Sequence, residues 1–229
     1  MRIVLDKIPC KLDVEAVLER LHMEADGEMA DEVRRLVHIA QPVVRPKAVY
    51  QVCPIEKRGS DCVAMGGVKF ASEVLRRNLD DADKVFAYVA SCGTEIAAVD
   101  AGDDPFVAPF CIEILKEQAL MAARAALFQD IEKRFAPGPI ASMNPGSGPR
   151  HVWPIEQQRE LFRLLGDVRG SIGVTLTESC LMIPNKTVSG LLFPSKSGFV
   201  TCRMCPRKDC PNRKVAFEDD GHGMADQNA

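Results

Sequence analysis

Apolar positions three and four residues apart dominate the first forty residues, and a period of two replaces them further on. Residues 11–38 carry two amphipathic stripes separated at Gly27: Val14, Val17, Leu18 and Leu21, then Met29, Val33, Leu36 and Val37. Pro42 and Pro46 stop the second helix. The valine-rich stretches 47–55 and 62–70 predict strands, with 56–61 as a polar turn. Ser72 is placed to cap a helix through Leu79, with Glu73 favouring the dipole. Residues 85–90 are a short apolar run between charges and predict a buried strand; Cys92, Gly93 and Thr94 then turn into a short helix ending at Val99. The pattern from about Pro105 to Arg134 predicts one long helix, with Pro109 confined to its first turn. Ile112, Leu115, Ala119, Ala122, Ala126 and Ile131 lie on or near its apolar face. Residues 136–149 hold four prolines and three glycines and are expected to form a shaped loop without regular structure. A helix over 155–165 follows. Two strands, 173–183 and 187–193, are expected to form a hairpin turned by Pro184, Asn185 and Lys186.

The chain has 229 residues, 46% hydrophobic and 27% charged, which fits a folded protein with a core of its own. The expected division is a domain over 1–200 and a cysteine-rich, metal-binding segment with an acidic flexible tail over 201–229. A formal net charge of −3 without a basic stripe argues against a nucleic-acid partner. No apolar run approaches the roughly 20 residues needed to cross a bilayer, so no membrane partner is expected. The polar start offers no secretory core. A soluble, cytoplasmic protein is the expectation.

Nine cysteines change the picture. Cys10, Cys53, Cys62, Cys92, Cys111 and Cys180 are scattered, as small buried apolar side chains often are. Cys202, Cys205 and Cys210 instead stand in a C-x2-C-x4-C spacing. A C-x2-C turn lets two thiolates close on one metal, and the third returns after one more loop. Arg203, Arg207, Lys208 and Arg213 would balance the negative charge of such a site. Zinc or an iron–sulfur cluster would each be completed by a fourth ligand. The prolines after Cys205 and Cys210 lean towards iron–sulfur. Cys180 is the best fourth ligand, with Cys92 second. Thiol redox sensing through Cys202 and Cys205 is a further reading of the same residues.

A second constellation joins the proline–glycine loop around Asn144, Pro145 and Gly146 to Leu176, Thr177, Glu178 and Ser179, then Pro184, then Val188, Ser189 and Gly190. Such a loop holds backbone N–H and C=O groups at fixed positions suited to a polar small molecule, and Glu178 supplies a carboxylate. An ordinary surface loop beside a half-buried hairpin is the plainer alternative.

Together these stretches resemble the activation domain of cobalamin-dependent methionine synthase, in which an Arg-Pro-x-Pro-Gly-Tyr loop, a Leu-Thr-Glu-Ser run, a proline and a Val-Ser-Gly strand follow in that order. Residues 101–104, entering the long helix, are also similar. The resemblance covers about residues 84–193. It implies an α+β fold, a curved and mostly antiparallel sheet flanked by helices. It also implies a site for S-adenosylmethionine and a role in reducing and remethylating an inactive cobalamin held by another protein domain. On that reading Asn144, Pro145, Gly146, Glu178, Ser179, Ser189 and Gly190 bind the ligand, and the partner is a cobalamin-binding methyltransferase or corrinoid protein. The family's loop arginine and tyrosine are Ser142 and Ser147 here. The cysteine cluster is an addition to the pattern, and an electron-carrying cluster beside a corrinoid makes chemical sense. The Asp-x-His-x-x-Gly motif that holds the lower face of cobalamin is absent: His22, His38, His151 and His222 all lack that setting. Cobalamin must therefore arrive on the partner. A non-enzymatic, metal-stabilised module that binds cobalamin or a corrinoid protein is the alternative from another class.

Overall fold

Every residue of Val85–Ser91 is buried on both faces, so the strand that holds them must be central. The computed structural model, which describes residues 1–100, 102, 107–196, 198–210 and 213–218, places it so. Strand β5 (Lys84–Ser91) pairs antiparallel with β2 (Lys47–Arg58) on one side and with β9 (Thr187–Pro194) on the other. The full order is β4 (Val68–Ala71), β3 (Cys62–Met65), β2, β5, β9 and β6 (Ile140–Met143), and β1 (Arg2–Leu5) also pairs with β2. The free edge of β2 is shared: β1 takes Ala48–Gln51 and β3 takes the far end, past a register break between Ile55 and Lys57. Such a break bends a strand. The seven-stranded sheet is antiparallel at every described ladder and does not close.

Helices cover both faces. Val49, Cys53, Val85, Ala87, Val89, Leu191 and Phe193 form one face. They pack with Trp153 and with α3 (Glu73–Asn78), α5 (Gln158–Leu165) and α6 (Val168–Ile172). Ala48, Tyr50, Phe86, Tyr88, Ala90 and Leu192 form the other, beneath the second half of α4 (Val107–Phe135). The first half of α4 packs on α1 (Val14–Arg20) and α2 (Glu28–Ala40) in a third apolar cluster. This is the α+β architecture expected from the sequence.

The elements mostly fall where the pattern put them, although β2 runs on through Arg58 into the expected 56–61 turn and β1 and α6 were not expected; five further corrections follow. The predicted strand 62–70 is two strands, because Gly66 and Gly67 both take positive φ and turn the chain between them. Met29 is 59% exposed: it sits in the first turn of α2, beyond the reach of α1 and α4. The buried seam of α4 runs through Cys111, Leu115, Ala119, Ala123, Leu127 and Ile131, so Ala122 and Ala126 lie beside it. A strict step of four gains about 40° per turn, which lets one helix serve α1 and α2 first and the sheet afterwards. Residues 140–143 are not loop but the edge strand β6. An edge strand bonds through one side only, so flanking prolines 139 and 145 do no harm there.

The fifth correction concerns the expected hairpin. Strand β7 (Thr175–Leu176) pairs with β8 (Met182–Ile183) in a small sheet of its own, while β9 joins the main sheet. The segment turns back on itself at 177–181: Thr177 and Leu181 exchange hydrogen bonds, and the Cys180 N–H donates to the Thr177 carbonyl. The Ile183–Pro184 peptide is cis, and β9 departs beyond it. Ser72 caps α3 as expected, accepting from the Leu75 N–H. Residues 101 and 103–106, including the expected helix start at Pro105, and the acidic tail from 219 onward lie outside the described residues. Among the described residues no helix is long and apolar enough to cross a membrane.

Candidate functional site

The end of β6 and the start of β9 lie side by side, and Asn144 locks them together. Its amide Nδ2 donates to the Tyr88 hydroxyl at 2.9 Å and to the Ser189 carbonyl at 2.6 Å. Gly190 lies opposite Tyr88 in register, and a Cβ there would stand 2.4 Å from the Met143 carbonyl oxygen and 2.5 Å from Asn144 Nδ2. Only glycine leaves room for Asn144 to cross the strand. Tyr88 is fully buried: desolvation pushes its phenol pKa up, while the Asn144 hydrogen bond and the charge of Arg124 pull it down. Replacing Asn144 by alanine strands a buried hydroxyl and a buried carbonyl. The expected loss is about 1–3 kcal/mol, read as a lower urea midpoint at unchanged slope.

The residues just before and at the start of α5 are the common scaffold of the remaining pieces. Ile155 packs where a Gly146 Cβ would be, 2.4 Å from Ile155 Cδ1, and the Gly146 N–H donates to the Trp153 carbonyl at 2.9 Å. Gln158 accepts from Ser189 Oγ at 2.8 Å, both residues being buried. Arg159 donates to the Glu178 carbonyl at 2.6 Å and so fixes the tip of the β7–β8 turn. At that tip the Thr177 and Ser179 hydroxyls lie 3.0 Å apart, and Glu178 and Ser179 are exposed. One short stretch therefore holds loop, strand and turn. Asn144, Ser189 and Gly190 are in direct contact; Pro145, Ser189 and Gly190 are buried, Asn144 is half-buried, and Gly146 is exposed.

Sequence reasoning missed Tyr88, Arg124, Gln158 and Arg159. Two had a legible signal: Tyr88 is a phenol within the otherwise apolar run 85–90, and Arg124 stands alone among alanines, its Nε buried and unpartnered. Gln158 and Arg159 carried none, since polar residues at a helix start are ordinary.

The cysteines divide as their positions suggest. Cys53, Cys92 and Cys111 are buried, and burial pushes the Cys92 and Cys111 thiols up to about 11, well out of thiolate chemistry. Cys180 is also buried, with φ +64°, in the 177–181 turn. Cys202 lies in a 3-10 turn, Thr201–Met204, with Cys205 at its end, and these two and Cys210 are half-buried. Met204 and Phe199 pack against the core of the first sheet face. Thr201 touches the loop: a Cβ on Gly148 would stand 3.0 Å from Thr201 Cγ2. The cysteine segment therefore abuts the far end of the loop that begins at Asn144. Among the described residues no group of three or more His, Cys, Asp or Glu side chains is gathered closely enough to hold a metal.

The fold and these contacts define an antiparallel α+β domain with a strapped loop at one sheet edge. Residues 143–204, which run from the last residue of β6 through the Asn144 loop, α5, the β7–β8 turn and β9, match the family described as vitamin B12 dependent methionine synthase, activation domain. Among solved structures, one titled "Crystal Structure of the MetH Reactivation Domain bound to AdoHcy" shares the fold, with a TM-score of 0.61 and 16% identity. The alignment covers 87% of this chain and 80% of that one. No curated protein matches the sequence. The resemblance read from the loop, the Glu178 turn and the Gly190 strand is the one these comparisons find. The family match ends at Met204, before Cys205 and Cys210.

Proposed function

We propose that this chain does the work of an activation domain: it holds S-adenosylmethionine beside the 144–148 loop and presents it to a corrinoid on a separate methyltransferase, assisting that protein's reductive reactivation. One observation carries the reading. The stretch that matches the activation-domain family is the stretch whose loop, strand and turn are strapped together by Asn144, Ile155, Gln158 and Arg159. The similar reactivation domain was solved bound to AdoHcy, and that ligand is the demethylated form of the proposed donor.

The residues divide by what they can offer. Asn144, Pro145, Ser189 and Gly190 build the wall, since the Asn144 amide and the Ser189 hydroxyl are engaged with other protein groups and Pro145 and Gly190 are buried. Gly146, Glu178 and Ser179 are exposed and can meet a ligand. The Glu178 carboxylate suits a ligand that carries a sulfonium and an ammonium. With Ser142 where the family has arginine, the ligand's own carboxylate loses a charge-assisted partner, and binding weaker than the family's norm follows. S-adenosylmethionine, once bound, supplies an electrophilic methyl group. The chain's contribution is to fix that group's position, which is where an activation domain gains its rate.

The cysteine segment, 201–229, forms the second functional part, with domain 1–200 as the first. Cys202, Cys205 and Cys210 would hold one metal centre with Cys180 as fourth ligand. Soft thiolate donors suit an iron–sulfur cluster or zinc, and contact with the ligand loop through Thr201 favours the electron-carrying cluster. Metal, acid-labile sulfide and visible absorption of anaerobically purified protein separate the two: colour and sulfide for the cluster, colourless zinc for the module that only binds.

Calorimetric titration with S-adenosylmethionine and with AdoHcy tests the ligand site. Saturable binding is expected, and Glu178→Gln weakens S-adenosylmethionine by about tenfold or more, the scale of one hydrogen bond to a charged group. Absence of heat at millimolar ligand would leave the non-enzymatic module as the better reading.

A further inference from the structure

The second half of α4 carries a cation without an anion. Arg124 is half-buried, its Nε is buried without a hydrogen-bond partner, and its Nη1 meets the Met121 sulfur at 3.8 Å. Among the described residues no carboxylate lies within ion-pair distance of it, whereas Lys116 and Arg134 on the same helix are held by Glu113 at 2.7 Å and Asp130 at 2.8 Å. The helix turns Arg124 toward the candidate site. Glu113, eleven residues earlier and so only about 20° away around the helix, accepts from Asn185 just ahead of β9. Phe128, one turn further on, packs on the same cluster as Val188 of β9 and Ile140 of β6. That side of α4 therefore overhangs β9 and β6. Paired residues share a sheet face, so Ser142 goes with Leu192 and Phe86, and Gly190 with Tyr88, all on the α4 side. Asn144 crosses Gly190 there to reach the Tyr88 hydroxyl. The charge of Arg124 is felt at the same spot, where it pulls the Tyr88 phenol pKa down.

We propose that Arg124 is the anion-binding residue of the ligand site, reaching from α4 to the carboxylate of S-adenosylmethionine at the Asn144 end of the loop. The inference rests on the ligand reading above and names the group that answers the ligand's negative end. A guanidinium is a rigid planar fork that matches the two oxygens of a carboxylate. The proposed donor carries one carboxylate beside its ammonium and sulfonium, so Glu178 suits the positive groups and Arg124 the negative one. Ser142 puts no charge on this face of the sheet, and Arg124 supplies one from the helix above it, which offsets part of that loss. A buried N–H without a partner is also a cost to the free chain. An arriving anion relieves it, and so does replacing the arginine.

Calorimetric titration of the full chain with S-adenosylmethionine and with its decarboxylated form tests this, because the second ligand keeps both positive groups and lacks only the carboxylate. Wild type is expected to bind the intact ligand at least tenfold more tightly. Arg124→Met weakens S-adenosylmethionine by about tenfold or more, the scale of one hydrogen bond between charged groups. It leaves the decarboxylated ligand unchanged, with a thermal midpoint no lower than that of wild type. Arg124→Lys keeps the charge without the fork, falls between the two, and carries the comparison if the methionine variant does not fold. Wild type that binds both ligands equally overturns the inference and leaves the ligand reading standing. So does an Arg124→Met chain that keeps wild-type affinity for S-adenosylmethionine, or that loses both ligands alike, the mark of a merely structural role. A wild-type chain that gives no heat with either ligand overturns the ligand reading itself.

Discussion

Trp153→Ala is expected to cost about 3–5 kcal/mol, the range for removing a large aromatic side chain from a packed core. The ring has no exposed surface and meets Phe70 edge-on, with centroids 6.0 Å apart. Its neighbours come from α5, α6 and the first sheet face, and none can fill the void alone. The effect reaches the site as well, because the Trp153 carbonyl holds the Gly146 N–H. The alanine chain should therefore bind S-adenosylmethionine more weakly even where it remains folded. Trp153→Phe should be far milder, since it also removes an indole Nε1 that is buried without a partner. Denaturant titration of the two variants measures both effects. A loss below 1 kcal/mol for the alanine variant would show that the ring does not anchor the loop.

Gly190→Ala carries the second large effect. The new methyl would meet the Met143 carbonyl oxygen and Asn144 Nδ2 at 2.4 and 2.5 Å, so strand, loop or both must move. Overpacking of this kind costs about 1–3 kcal/mol, and more where backbone is the obstacle. In an Asn144→Ala background one of the two obstacles is gone, and the second substitution should cost less than it does in wild type. An interaction energy of about 0.5–3 kcal/mol is the scale for residues in contact. Strict additivity would contradict the contact between them.

The three predictions about the cysteines, the ligand and the strapped loop differ in how much of each was legible beforehand. The order of the Asn144 loop, the Glu178 turn and the Gly190 strand along the chain marked the candidate site, and helices α1 to α5 followed from spacing and caps. The hairpin misreading has a plain cause. Residues 173–183 are rich in β-forming types, but pairing partner is a long-range choice, and β9 gains more from joining β5 in the buried sheet than from folding against its chain neighbour. Strand β6 was hidden because its prolines speak against regular structure anywhere except an edge, and edges are not visible in a sequence. The roles of Gln158 and Arg159 were hidden for the same reason: each acts on a hydroxyl or carbonyl that is close in the fold but distant in sequence.

The central claim is that this chain reactivates a corrinoid protein. The direct measurement is anaerobic and spectroscopic: the full chain, S-adenosylmethionine and a reductant are mixed with a cobalamin-binding methyltransferase in its inactive cob(II)alamin form, and the visible spectrum is followed. A rise in the rate of conversion to the methylated form that needs both the chain and S-adenosylmethionine is the predicted result. A rate unchanged by adding the chain, with a competent reductant present, would contradict the account.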